Sequence, residues 1–279
     1  MKESKMSDIV VNYFIEKGEL FRRIMDSRIM TMRAKKIAKG IAKQLMMLGI
    51  EKGYVLDVGC GTGRVALELA EIGYNVVGID ISPIYIDIAS ERAKSRGLNN
   101  RVTFILCDAR FIDQCSFDST RFDAVIFVWS SVIGYYDEET DVRILSTIRN
   151  MVKDSGVLMF VDFVNKDYLV MELGLIGPRL VAYDYDDVIV LEHTIFNPVV
   201  SEILIKQRFY RKEGLNYIFL DEAMFRMRIY SLSELVDIAR RSGWCIHKVL
   251  KDVEGEPGYT PLKPLNIIFT LCREQENAR

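Results

Sequence analysis

Val55-Leu56-Asp57-Val58-Gly59-Cys60-Gly61-Thr62-Gly63-Arg64 is the stretch of sequence that decides the fold of this chain. Its apolar first half carries a carboxylate, and three glycines then alternate with other residues before a helical pattern begins. This order predicts a buried strand, a tight turn and the N-terminus of a helix. The stretch therefore predicts the opening of a nucleotide-binding α/β unit.

Strand and helix patterns alternate five times from this stretch onward. The predicted strands cover residues 54–58, 75–79, 102–106, 122–128 and 156–162. The predicted helices between them cover residues 65–72, 82–96 and 138–152. Short connections between such units are typical of a doubly wound parallel sheet, in which ligands bind at the carboxyl ends of the strands.

The alternation stops near residue 181. Strand-like patterns at 188–193, 202–210 and 217–228 follow one another without a long helix, which predicts antiparallel pairing. The α/β pattern then returns with a predicted helix at 234–242, capped by Ser233, and two last strands at 244–250 and 265–272. Two amphipathic helices, at 7–26 and about 31–48, precede the first strand.

Composition excludes several classes of protein. The 279 residues are 49% hydrophobic with a net charge of −2, so no global basic field attracts nucleic acid or membrane. Five scattered cysteines lack C-x-x-C spacing, which argues against disulfides and a metal site and favours a reducing cytoplasm. Residues 1–5 do not resemble a targeting signal, and no apolar run is long enough to span a bilayer. Scarce glutamine with abundant Ile, Arg, Lys and Glu indicates a thermophilic source.

One segment is locally basic. Between Phe21 and Lys43, Asp26 is the single acid against eight cations, namely Arg22, Arg23, Arg28, Arg33, Lys35, Lys36, Lys39 and Lys43. The segment forms either a solvated helix face or a collar of positive charge near an anionic ligand.

Polar residues stand at four predicted strand ends: Asp57, Asp80, Asp108 and the group Trp129-Ser130-Ser131. Short polar residues often close strands, but four at one sheet edge describe a pocket. Asp80, about twenty residues beyond the glycines, is placed to accept both hydroxyls of a ribose. Asp108 is placed to accept from an adenine amino group.

The glycine spacing leaves two ligands open. Counting from Gly59, the third position of a dinucleotide fingerprint is Arg64, which fails; counting from Gly61, it is Ala66, which is allowed. NAD is therefore not excluded by the glycines. Asp57 would repel a pyrophosphate but suits an ammonium group, so a sulfonium-bearing adenosine with an amino-acid tail fits better.

Residues 55–64 resemble the first motif of the class I S-adenosylmethionine-dependent methyltransferases, small-molecule type. The similarity continues through residues 76–82, 107–109 and 122–125, and a weaker one covers 228–244. The resemblance implies a Rossmann-like α/β fold with seven strands, mostly parallel with the last antiparallel. It divides the chain into an N-terminal helical cap (1–48), a cofactor-binding core (49–168), an antiparallel β lid insertion (169–229) and the C-terminal part of the core (230–279).

The same resemblance implies a set of cofactor-binding residues for S-adenosylmethionine. Asp80 would bind the ribose, Ile81 would pack on adenine, and Asp108 with Ala109 would contact the base. Arg33 or Arg28 would pair with the cofactor carboxylate. The methionine part would be bordered by Asp57, Gly59, Cys60, Gly61, Gly63 and Val128.

Methyl transfer needs orientation more than a strong base, and no obvious catalytic motif is present. Trp129, Ser130 and Tyr135 are the predicted acceptor contacts, although such residues also pack loops. Tyr135 and His193 are the candidate proton acceptors, and His193 is otherwise structural. Residues 128–131 lack the Asn-Pro-Pro-Tyr type of motif. We therefore expect an N or O atom of a small-molecule acceptor, with RNA such as tRNA as the alternative and an NAD-dependent oxidoreductase or a non-enzymatic binding protein as remote ones.

Overall fold

Eleven strands in two sheets form the framework of the part of the chain that the computed structural model describes, residues 9–117, 121–176 and 179–273. The first sheet contains β1 (Tyr54–Val58), β2 (Asn75–Asp80), β3 (Val102–Leu106), β4 (Phe122–Val128), β5 (Val152–Phe163), β10 (Trp244–Leu250) and β11 (Leu265–Leu271). The second contains β6 (Arg179–Tyr185), β7 (Val188–Asn197), β8 (Glu202–Glu213) and β9 (Asn216–Arg228).

The first sheet has the strand order β10-β11-β5-β4-β1-β2-β3. Strand β1 pairs in parallel with β2 and β4, and β11 runs antiparallel to both of its neighbours. The prediction of seven strands with the last one antiparallel is confirmed. Val55 and Leu56 on β1, an interior strand, are fully buried because helices cover both faces of the sheet.

Seven α-helices surround these strands in the described residues: α1 (Gly18–Met25), α2 (Arg28–Met47), α3 (Arg64–Ile72), α4 (Pro83–Ser95), α5 (Glu138–Arg149), α6 (Lys166–Ile176) and α7 (Leu232–Arg241). A π-helix covers Asn12–Glu16 and a 3₁₀ segment covers Ala109–Gln114. The N-cap of α7 is Ser231, which forms a capping box with Glu234, so the prediction of Ser233 as the cap is wrong.

The second sheet has the order β6-β7-β8-β9 and is antiparallel throughout, as predicted. Strand β6 and helix α6 are additions that the sequence patterns did not reveal. Burial alternates along β6, but two of its outward positions carry the apolar residues Leu180 and Ala182, so the sequence lacks the apolar–polar alternation that indicates a strand.

The N-terminal segment (residues 9–26) packs between the second sheet and the first. Tyr13 and Phe14 contact Phe225 of β9 at ring-centre distances of 5.0 and 5.2 Å. At the end of the segment, Asp26 accepts a hydrogen bond from Thr62 of the glycine turn at 3.0 Å and pairs with Arg92 at 2.9 Å. Burial alone would raise the pKa of the Asp26 carboxyl, but Arg92, Arg22 and Thr62 lower it. Asp26 is therefore an anion, and its contacts with Thr62 and Arg92 hold the N-terminal segment against the glycine turn.

Two disulfides contradict the expectation that the cysteines are unpaired. Cys107 bonds to Cys115 across the 3₁₀ segment, and Cys245 bonds to Cys272 between β10 and β11, leaving Cys60 free. Their Cα atoms lie 6.1 and 4.9 Å apart, within the range that a disulfide spans. The prediction was wrong because the paired cysteines are 8 and 27 residues apart in the sequence and are brought together only by the fold. A turn brings the first pair together, and the antiparallel pairing of β10 and β11 brings the second pair together.

Some predictions fall outside the described residues. Residues 1–8 of the predicted N-terminal cap and residues 274–279 of the predicted C-terminal part of the core lie outside them. The prediction that residues 1–5 are not a targeting signal falls in the first of these ranges. Within the described ranges, none of the helices has the length and apolar character that crossing a bilayer requires.

The cysteine pairing can be tested by counting thiols. In denaturant without reductant, we expect one reactive thiol per chain, that of Cys60, and five after reduction. Mass spectrometry of the alkylated protein measures both numbers. Five thiols before reduction would contradict both disulfides, and three would contradict one of them.

Candidate active site

A partly open cavity lies at the carboxyl ends of β1, β2 and β4, with about 1050 Å³ of space not filled by protein atoms, including its opening to solvent. Its floor comes from the glycine turn and these strand ends, including Ile79 and Val128. Its roof comes from the N-terminal segment, through Val10, Phe14 and Phe21. The first sheet and the N-terminal segment together therefore enclose the candidate site.

The glycine turn lets the backbone reach the cavity without a side chain in the way. Gly59 and Gly61 line the cavity with φ of 75° and 55°, a left-handed conformation that glycine adopts without strain. A Cβ on Gly59 would lie 2.7 Å from the Cβ of Ser131, and one on Gly61 would lie 2.9 Å from Met25 Sδ. A larger residue at either position would therefore collide with these side chains.

Gly63 does not line this cavity, although it was predicted to contact the cofactor. It faces away from the ligand space, where an added Cβ would lie 2.6 Å from Phe104. With φ of 76°, Gly63 serves the packing of α3 against the sheet. The prediction is corrected: two of the three glycines border the site, and Cys60 between them also lines it.

Asp80 is fixed at the end of β2 by backbone donors. Gly61 N–H donates to its Oδ2 at 2.9 Å, and Ser82 N–H donates to its Oδ1 at 2.9 Å. Burial raises the pKa of the Asp80 carboxyl to about 6, and these backbone hydrogen bonds oppose the rise. Each carboxylate oxygen keeps a lone pair for a ligand hydroxyl. The carboxylate is therefore held rigidly against the cavity.

Asp57 and Arg64 place opposite charges at the other end of the cavity. Burial raises the pKa of the Asp57 carboxyl to about 7, with the Asp80 charge adding to the rise. Burial also lowers the pKa of the Arg64 guanidinium to about 10. Arg64 Nε and Nη1 are buried without a hydrogen-bond partner among the described residues. A buried donor of this kind is costly unless a ligand satisfies it.

Arg64 is the functional candidate that the sequence analysis missed. In the sequence, Arg64 stood out only because it does not fit the third glycine position of a dinucleotide-binding motif. It directly follows the glycine turn and is the first residue of α3. Its guanidinium lies 4.5 Å from the ring centre of Trp129, whose Nε1 is also buried without a partner among the described residues. The signal available in the sequence was a cation at the first position of the helix after the turn.

Asp108, Ala109 and Ile81 line the same cavity, at the side formed by β2 and β3. Both oxygens of Asp108 already accept hydrogen bonds from the guanidinium of Arg110, and its Oδ1 also accepts from Arg110 N–H. Cys107, which forms a disulfide with Cys115, completes this wall.

The loop after β4 supplies the remaining wall. Trp129, Tyr135 and Tyr136 line the cavity, and Phe14 stacks on Tyr135 with ring centres 5.4 Å apart. Burial raises the pKa of the Tyr135 hydroxyl far above its usual value. Ser130 does not line the cavity, because its Oγ accepts from Val164 N–H at 2.7 Å and is used structurally. The prediction of Ser130 as an acceptor contact is therefore corrected.

The predicted basic contacts lie outside the cavity. Arg33 pairs with Asp162 at 2.9 Å, and Arg28 donates its backbone N–H to Asp186 at 2.7 Å; neither lines the cavity. Arg23 and Lys36 of the same basic segment pair with Asp187 and Glu254. These ion pairs favour the interpretation of a structural helix face over that of a collar around an anion.

His193 lies on the opposite face of the second sheet from the N-terminal segment. Gln207 points to that segment, since it accepts a hydrogen bond from Tyr13 at 2.6 Å, and it pairs in register with Glu192. Because neighbouring residues of a strand face opposite sides, His193 faces away. The prediction of His193 as a proton acceptor in the site is therefore wrong.

Across the described ranges, no group of three or more metal-ligating side chains is present, and metal binding was not predicted.

Comparisons with known proteins agree with this geometry. Residues 55–156 match the family model described as a methyltransferase domain. The chain is 27% identical over 204 residues to a putative methyltransferase, YqeM, of Bacillus subtilis, covering 72% of this chain and 77% of that protein. It is 31% identical over 142 residues to the tRNA 5-carboxymethoxyuridine methyltransferase of Escherichia coli, covering 51% and 49%.

A solved structure shares the fold. The S-adenosylmethionine-dependent methyltransferase of Clostridium acetobutylicum superimposes with a TM-score of 0.74 at 18% identity, covering 91% of this chain and 99% of that one. The methyltransferase match decides between the two cofactors that the glycine spacing left open, in favour of S-adenosylmethionine.

The raised pKa values of Asp57 and Asp80 predict how stability depends on pH. Between about pH 4, where these carboxyls titrate in the unfolded chain, and about pH 7, the folded protein holds protons that the unfolded chain has released. The free energy of unfolding of the ligand-free protein should therefore fall as pH rises from about 5 to about 8.

Urea unfolding at several pH values measures this slope. Asp57→Asn, which cannot ionise, should flatten it, whereas Asp87→Asn on the exposed face of α4 is the matched control and should not. An unchanged slope in Asp57→Asn would show that this carboxyl is not the source.

Proposed function

We propose that this chain, which carries a class I S-adenosylmethionine-dependent methyltransferase domain, transfers the methyl group to an N or O atom of a small-molecule acceptor. The observation that supports a small acceptor is the enclosed cavity. The space that continues from the glycine turn is closed above by the aromatic side chains of Phe14 and Phe21. Within the described residues, this partly covered space fits a small acceptor better than an intact nucleic-acid duplex.

The residues present fit the cofactor. S-adenosylmethionine supplies a methyl group on a sulfonium, together with a zwitterionic tail. Asp80 would accept from the ribose hydroxyls, and Ile81 with Asp108 and Ala109 would border the base. Asp57 would receive the ammonium group and Arg64 the carboxylate, which would satisfy the buried guanidinium atoms that lack a partner. The chain thus offers a carboxylate for the ammonium group of the tail and a guanidinium for its carboxylate.

The acceptor side explains how the transfer proceeds without a strong base. Trp129, Tyr135 and Phe14 form an aromatic wall that would hold an acceptor in line with the methyl group, and such orientation alone can lower a barrier by about 7–11 kcal/mol. Because burial raises the pKa of the Tyr135 hydroxyl, this group keeps its proton at neutral pH. Tyr135 would therefore orient the acceptor by donating a hydrogen bond rather than remove a proton.

A tRNA acceptor is the second candidate, because one relative is a tRNA methyltransferase. That match covers 49% of the relative. On this chain, four cations of the basic segment are already paired with acidic side chains, namely Arg22, Arg23, Arg33 and Lys36. Fewer charges are then available for phosphates than the sequence suggests.

The role of Arg64 predicts a ligand-dependent loss of affinity. Arg64→Met should weaken binding of S-adenosylhomocysteine by about tenfold or more, since a charge-assisted hydrogen bond to a buried group is lost. Binding of 5′-methylthioadenosine, which lacks the amino-acid tail, should change little. Isothermal calorimetry measures both, and the matched control is Arg96→Met, an arginine that pairs with Glu68 and Glu71, does not line the cavity and should affect neither ligand. Equal losses for both ligands would remove Arg64 from the carboxylate site.

The acceptor class can be tested by transfer of a tritiated methyl group. With the wild-type protein, we expect label in a filtered small-molecule fraction of a cell extract and none in bulk tRNA. Asp80→Ala, which removes the ribose contact, is the control and should abolish labelling in both. Label in tRNA that weakens as salt rises would instead establish the second candidate.

A further inference from the structure

The loop that follows β4 has an unusual backbone. We call residues 129–136 the acceptor loop, because Trp129 and Tyr135 line the cavity there. Trp129, Ser130 and Val132 have φ of 57°, 58° and 66°, and Gly134 has φ of 91°. Left-handed φ is uncommon for residues other than glycine and strongly disfavoured for a β-branched residue such as Val132. A conformation of this kind persists only where surrounding groups enforce it.

Gly134 is held from both sides. Its N–H donates to Asp141 Oδ2 at 2.9 Å, and its carbonyl accepts from Arg228 N–H at 2.7 Å. A Cβ at this position would lie 2.1 Å from the carbonyl oxygen of Arg228. The middle of the acceptor loop is therefore fastened to α5 and to the end of β9, with no space for a side chain.

Asp141 joins a second buried group to this anchor. Tyr230, two residues beyond β9, donates its hydroxyl to the same Oδ2 atom at 2.6 Å. Asp141 and Tyr230 are both fully buried, and neither lines the cavity. The guanidinium of Arg228 lies 4.9 Å from the Tyr230 ring centre and pairs with Glu138 at 2.7 Å. One carboxylate oxygen thus ties α5, the end of β9 and the acceptor loop together.

Stability alone does not account for a buried carboxylate in this place. The other oxygen of Asp141, Oδ1, is buried without a hydrogen-bond partner among the described residues. Replacing buried polar groups by apolar ones of similar shape is often neutral or stabilising, so such networks persist where they fix a geometry. The geometry that Asp141 fixes is the strained loop, whose aromatic side chains form the acceptor wall.

We propose that Asp141 and Tyr230 are positioning residues that hold the acceptor loop so that Trp129 and Tyr135 face the transferred methyl group. They touch no reacting atom and act through the Gly134 amide. The proposal rests on the proposed function only in that the acceptor binds against this loop. The loop conformation itself can be measured without an acceptor.

The two tryptophans of the chain provide the measurement. Trp129 lies in the acceptor loop, whereas Trp244 donates its Nε1–H to Leu145 O of α5 at 3.0 Å, on the same helix as Asp141. Incorporation of 5-fluorotryptophan gives two fluorine resonances, which Trp129→Phe assigns. The Trp129 signal reports on the loop, and the Trp244 signal reports on the integrity of α5 and its surroundings.

Tyr230→Phe removes one hydroxyl and leaves the packing of the ring. We expect it to shift or broaden the Trp129 resonance, because loss of this hydrogen bond should move the loop equilibrium by about fivefold to tenfold. The Trp244 resonance should stay in place. The matched control is Tyr74→Phe, which deletes a hydroxyl that donates to Ile50 O at 2.8 Å and belongs neither to the acceptor loop nor to its anchor. This control should move neither signal.

Gly134→Ala tests the same anchor from the loop side and should also move the Trp129 resonance, since the added methyl group displaces the Arg228 carbonyl. An unmoved Trp129 signal in folded Tyr230→Phe would overturn the proposal, and so would movement of both signals, which would indicate a merely structural role. Once an acceptor is in hand, Tyr230→Phe should raise its KM about fivefold without changing the affinity for S-adenosylhomocysteine. If the acceptor proves to be RNA, the proposed function fails while the fluorine result still decides the role of Asp141 and Tyr230.

Discussion

Two hydrogen bonds to one carboxylate organise the site. The N–H groups of Gly61 and Ser82 donate to the two oxygens of Asp80, which joins the turn after β1 to the start of α4. Gly59 and Cys60 donate in turn to Ile79 O at 2.8 and 2.9 Å, so the turn closes over the end of β2. The Asp80 carboxylate is therefore oriented toward the cavity without a ligand. The hydrogen bonds from the two N–H groups offset part of the free energy that burying the charge costs.

The sequence predicted correctly those parts of the fold for which a residue pattern is compatible with a single structure. A near-continuously apolar strand such as β4, in a chain that alternates strands with helices, has to lie inside a parallel sheet. The ligand-facing aspartates followed from the same logic, because strand ends of a parallel sheet meet at one edge. Strand β6, at the edge of the second sheet, was not found because apolar Leu180 and Ala182 occupy outward positions of the strand.

The contacts that the sequence could not supply are those between distant segments. The guanidinium groups of Arg33 and Arg64 lie 5.7 and 4.5 Å from the Trp129 ring centre, and only the structure separates their roles. Arg33 pairs with Asp162, whereas Arg64 Nε and Nη1 are buried without a hydrogen-bond partner within the described residues. His193 follows Glu192 on β7, and the side chains of neighbouring residues in a strand point to opposite faces of the sheet. This difference of one position places His193 on the face away from the N-terminal segment. Both disulfides likewise depend on pairings that no local spacing encodes.

The site divides into a rigid half and a strained half, and this division has a physical basis. The cofactor side is built from strand ends and a glycine turn, whose positive φ angles glycine adopts without cost. The acceptor side uses Trp129, Ser130 and Val132 in conformations that each cost about 1–3 kcal/mol, so its shape has to be stabilised from outside. The loop on this side therefore takes its shape from buried anchors such as Asp141 and Tyr230, whereas the glycine turn needs no such outside support.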